Sequence, residues 1–78
     1  MNNYEEEVLN TLTRYADGAI ARADALRISN SLKSLLHNRD LLRAIEWMDE
    51  IEGLAEIRGA KEIFNLEREL RIYISKLL

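Results

Sequence analysis

Placed at 100° intervals, Tyr4, Val8, Leu12, Tyr15, Ala16, Ala19, Ala23 and Leu26 fall on one stripe, the helical period held for about six turns. This spacing predicts a helix over residues 4–28. Ile28, Leu32, Leu35 and Leu36 point to the opposite side, so the apolar face rotates around Ser29-Asn30-Ser31 and a kink or break is expected there. After Asp40 a second stripe forms from Leu41, Ala44, Ile45, Met48, Ile51 and Ala55. A third comprises Ile63, Leu66, Leu70, Tyr73, Ile74 and Leu77. Strong helix formers dominate and proline is absent, so the fold class is all-α.

Asn, Asp, Ser and Thr before a periodic apolar run mark helix starts. They occur at Asn2-Asn3, Ser29-Asn30-Ser31 and Asn38-Arg39-Asp40. Glu5, Glu6 and Glu7 fall in an opening turn, where the helix dipole favours negative charge, and Glu6 is spaced to close a capping box on Asn3. Gly18, Gly53 and Gly59 are candidate helix ends, yet no capping residue follows any of them, so the helices are expected to run through. With its only sharp reversal at Asn38 to Asp40, the chain forms an antiparallel hairpin of two long helices, the first kinked. In that register Val8 meets Leu70, Leu12 meets Leu66, and Ala23 meets Ala55. Gly18 and Ala19 then lie beside Gly59 and Ala60, so small residues face each other at mid-length. The alternative ends a helix at Gly59 and folds the last one back as a three-helix bundle.

A chain of 78 residues makes a single domain, residues 1–78. At this size folding hides only about 60% of the unfolded surface. Leu9, Ile20, Leu42, Phe64 and Leu78 add apolar positions at the stripe edges, more than one narrow seam hides. A second copy paired with two-fold symmetry is the simplest way to cover them, so a homodimer is expected. The segment MNNYEEEVL is acidic where a signal peptide is basic, and no apolar run approaches membrane-spanning length. A cytoplasmic protein that does not enter a membrane is the expectation.

Net charge is -3, but its distribution matters more than its total. Arg14, Arg22, Arg27, Lys33, Arg39 and Arg43 make residues 14–43 a basic arm, whereas acids crowd residues 44–69. Nucleic-acid binding through the basic arm is one reading, though a sequence pI of 5.1 and an acidic partner arm oppose an uncancelled positive field.

The chemistry available is narrow. There is no cysteine, and His37 is the single histidine, placed where a cationic side chain suits a helix C-terminus. No Gly-x-Gly loop offers to cradle a phosphate. Glu46, Asp49 and Glu50 share one helix face by their spacing and form the one candidate for a metal-dependent enzyme. Glu46-x-x-Asp49 is similar to the Glu-x-x-Asp of all-α nucleotide pyrophosphohydrolases. Those enzymes also carry an upstream Glu-Glu-x-x-Glu, and here the corresponding segment has Asp24 and no glutamate. No catalytic residue, metal or cofactor is assigned.

Association remains. Trp47 lies at the edge of the second stripe, with Ile51 and Leu54 onward along the helix and Arg43 and Glu50 flanking it. The sequence therefore reads as a non-enzymatic helical interaction protein: an inhibitor, adaptor or chaperone-like regulator that binds another protein. Trp47, Leu54 and Ile51 would form its apolar edge, and Arg43, Glu46, Asp49 and Glu50 its charged rim.

Overall fold

The computed structural model describes residues 1–77. Leu78, one of the expected edge positions, lies outside the described residues. Four helices follow in order: α1 (Asn3–Ala16), α2 (Arg22–Leu32), α3 (Arg39–Leu54) and α4 (Ala60–Ser75), with a short 3-10 turn at Lys33–Leu35 before α3. The all-α class holds, but the hairpin of two long helices does not. Such a hairpin would be about 55 Å long at 1.5 Å per residue. The molecule measures 37 Å along its longest axis.

The expected helix over 4–28 breaks at Gly18. There φ is +80°, the left-handed region that side chains with a Cβ avoid. Around it the Gly18 N–H donates to the Tyr15 carbonyl at 3.0 Å and the Ala19 N–H to the Arg14 carbonyl at 2.8 Å. This is the Schellman pattern, which satisfies carbonyls that a helix end leaves open. Neither α2 nor α4 needs a capping side chain to start: their N-cap positions, Ala21 and Gly59, make no side-chain cap hydrogen bond. Gly59 stands before α4 in extended backbone, and only Gly53 is passed through inside a helix. The expected break at Ser29-Asn30-Ser31 comes slightly later, after Leu32, and Ser29 is buried within α2.

The small-to-small register fails for the same reason. A Cβ added at Gly18 or Gly59 would meet nothing within 4 Å, and Ala19, Ala23 and Ala60 are exposed. Packing therefore does not hold Gly18 to glycine. What that glycine supplies is backbone freedom.

The other start signals work nearly as read. The Asn38 side chain caps α3, accepting from the Asp40 and Leu41 N–H groups at 2.9 and 3.2 Å. At α1 the capping box forms one residue earlier than its spacing suggested. Asn2 Oδ1 accepts from the Glu5 N–H at 2.8 Å while Glu5 Oε1 accepts from the Asn2 N–H at 3.1 Å. Glu6 points to solvent instead. Glu5 is buried because its other oxygen has a second task. Glu5 Oε2 accepts from the His37 and Asn38 N–H groups at 2.9 and 2.6 Å, fastening the start of α1 to the start of α3. These bonds, with the Asn2 N–H first among them, hold its carboxyl below the usual glutamate range.

The helices pack in a cycle, α1 on α2, α2 on α3, α3 on α4 and α4 on α1. Their shared core contains Val8, Leu12 and Tyr15 from α1, Ala25 and Leu26 from α2, and Ile63, Leu70 and Ile74 from α4. The second stripe supplies most: Leu41, Ala44, Ile45, Met48 and Ile51 are all buried, more core side chains than any other helix gives. Each fully buried side chain of the Leu, Ile or Met kind contributes about 1.5–3 kcal/mol by removal from water. No helix of the described residues is long and apolar enough to cross a membrane.

Candidate functional site

α3 and α4 are antiparallel neighbours, reversed by the turn at residues 55–59. Their pairing is fixed by Tyr73, whose ring lies 5.6 Å from that of Trp47, tilted by 52°, and whose hydroxyl donates to the Asp40 carbonyl at 3.4 Å. Burial, followed by the nearby Asp40 carboxylate, pushes the Tyr73 phenol up. Trp47 is thus half-buried, with one side held by α4 and the other facing outward.

An open depression of about 350 Å³ lies on that outward side, lined by Arg43, Glu46, Trp47 and Glu50. These are the i, i+3, i+4 and i+7 positions of one helix face. The structure therefore brings together four of the seven residues selected from the sequence. Leu54 is half-buried further along α3 and Asp49 is exposed on the far side of Glu46. Ile51 differs: it is 1% exposed and belongs to the core, so it supports the surface from beneath and presents nothing to a partner. Among the described residues, no group of three or more His, Asp or Glu side chains is placed to hold a metal ion, so Glu46, Asp49 and Glu50 do not converge.

A polar constellation that the sequence did not reveal sits on the other side of α4. Tyr15 donates to Glu67 Oε2 at 2.7 Å, and Arg22 Nη1 lies 2.9 Å from Glu67 Oε1. Arg22 also reaches Glu52 Oε1 at 3.4 Å, and the Arg71 guanidinium stands over the Tyr15 ring at 5.1 Å. Every helix takes part, α4 with both Glu67 and Arg71, across sequence separations that no local pattern signals. The arrangement cancels the charge of Arg22, and Arg27 pairs with Asp24 at 3.7 Å. Two bases of the arm at residues 14–43 thus have acidic partners, Arg22 in a half-buried cluster and Arg27 at the exposed surface. His37 is exposed beside a second concavity of about 650 Å³ that includes Tyr4 and Leu35.

Comparison with protein-family models, with curated proteins and with solved structures finds no match to this chain.

Proposed function

We propose that this chain is a non-enzymatic helical interaction protein, an inhibitor, adaptor or chaperone-like regulator that binds another protein through the outer face of α3. The observation that carries this reading is the position of Trp47. It is a large aromatic side chain braced by Tyr73 yet open on one side, in a depression rimmed by Arg43, Glu46 and Glu50. Aromatic anchors of this kind supply most of the energy at protein interfaces, while rim charges steer approach. A nucleic-acid platform would also use an aromatic ring, but two carboxylates beside it repel phosphate.

The test is capture from a lysate by immobilised wild-type chain and by Trp47→Ala, the variant first shown helical by circular dichroism. Loss of about 2 kcal/mol, roughly thirtyfold in affinity, is expected for a captured protein. Undiminished capture by folded Trp47→Ala, or capture that nuclease treatment abolishes, would overturn the reading.

A further inference from the structure

The outer face of α4 carries its own unexplained exposure. Phe64 is 60% exposed and Ile72 43%, although both are large apolar side chains on a well-formed helix. Lys61 and Arg68 share their stripe, at spacings of three and four residues, and both are exposed. The outer face of α3 carries the opposite net charge around Trp47, where Glu46 and Glu50 outnumber the single base Arg43. Among the described residues Glu46, Glu50, Lys61 and Arg68 form no ion pair. One molecule thus presents two adjacent faces, each half apolar, with opposite charge.

Their levels also match. Tyr73 touches both Asp40 and Trp47, so Arg68, earlier along the antiparallel α4, lies level with the Glu46 to Glu50 turn of α3. A two-fold axis running between α3 and α4, along their length, would place α3 of each copy on α4 of the other. Arg68 would then face Glu46 and Glu50, Ile72 would cover Trp47, and Phe64 would reach Leu54. The contact would form twice and close on itself, as a symmetric pair requires.

We infer that a second copy of this chain occupies the Trp47 depression, by setting the Lys61, Phe64, Arg68 and Ile72 stripe of α4 on the acidic face of α3. This rests on the reading of the α3 face as a binding surface, and it makes self-association compete with any other protein for that surface. Charge complementarity selects this occupant, since α4 offers apolar and basic groups together at the height where α3 offers apolar and acidic ones.

Sedimentation equilibrium of Glu46→Lys/Glu50→Lys, of Lys61→Glu/Arg68→Glu and of their equimolar mixture provides the test. Wild type should show twice 9.1 kDa at micromolar concentration. Each variant alone should weaken dimerisation by at least about tenfold, because both of its contacts then oppose like charges. The mixture should restore the pair, because every contact in the mixed dimer again joins opposite charges. Carbodiimide coupling of mixed isotope-labelled and unlabelled Arg68→Lys chains, which keep the charge and place an amine level with the acids of α3, should join position 68 of one copy to Glu46 or Glu50 of the other. A wild type that stays at 9.1 kDa, variants that dimerise undisturbed, a mixture that stays monomeric, or absence of that cross-link would each overturn the inference. Monomeric wild type together with protein capture that depends on Trp47 would remove the second copy and leave the proposed function standing. A confirmed dimer without any captured protein would do the reverse.

Discussion

A carboxylate that accepts backbone N–H groups is favoured in its ionised form, and Glu5 accepts three of them, from Asn2, His37 and Asn38. Its pKa is lowered below the ordinary 4.5, so the folded state binds this proton less readily than the unfolded chain does. The stabilisation is complete above the unfolded value and is lost as pH falls through the lower folded value. Glu5→Gln keeps the size but loses the charge and one of the two acceptor oxygens. The expected result is a urea midpoint well below wild type at pH 7, with the gap closing as pH drops beneath about 4.5. Equal gaps at pH 7 and in strong acid would show that Glu5 acts through packing alone. In the sequence Glu5 was visible as a first-turn acid, but its bonds to His37 and Asn38 were not. Those depend on where α3 begins in space.

At the scale of elements, the glycines separate what was legible from what was not. The stripe of α3 is read correctly almost residue by residue, because capping by Asn38 and an unbroken apolar period agree. The stripe over residues 4–28 misleads, because alanines continue the period across a real chain reversal. Ala19 and Ala23 are exposed, and α2 buries Ala25 and Ser29 beside Leu26, the one stripe residue of this helix that reaches the core. Alanine suits either face of a helix, so it carries little directional information. Trp47, Arg43, Glu46 and Glu50 were found together because one helix face suffices to unite them, whereas the partnership of Arg22 with Glu67 needs the whole bundle. Two substitutions with opposite expected signs follow from the backbone. Gly18→Ala must adopt φ near +80° and should destabilise by about 1–2 kcal/mol. Gly53→Ala lies inside α3 with nothing within 4 Å of a new Cβ, and should stabilise by about 0.5–1 kcal/mol. Thermal melts of both variants check this. A melting temperature for Gly18→Ala above that of the parent would show that the turn after α1 does not require its left-handed residue.

For the whole molecule, the Tyr15, Glu67, Arg22 and Glu52 cluster matters because it joins all four helices: Glu67 of α4 ties Tyr15 of α1 to Arg22 of α2, and Arg22 reaches Glu52 of α3. Tyr15 is fully buried, and its hydroxyl donates to Glu67, so ionisation would set a phenolate against a carboxylate in a site removed from water. Burial first, then the Glu67 bond and charge, raise its pKa well above the ordinary 10.0, against the smaller opposing influence of Arg71 and Arg22. The sign follows directly. The unfolded chain releases this proton near pH 10 while the folded state keeps it, so stability is intact below that pH and falls as pH rises beyond it. Each further pH unit costs about 1.4 kcal/mol for one retained proton, a steep slope for a domain with few kcal/mol to lose. Tyr15→Phe keeps the ring beneath Arg71 and removes the titrating group. It should be less stable than wild type at pH 8, through the lost hydrogen bond, yet lose less with each step from pH 10 to 11. Tyr73→Phe serves as the control, since that phenol is also raised but is half-exposed at the α3 and α4 edge. Denaturant titrations of the three proteins across this range decide the matter. Parallel wild-type and Tyr15→Phe slopes would mean that the bundle opens at Tyr15 before global unfolding, and that the four-helix cluster is not what holds the molecule together in alkali.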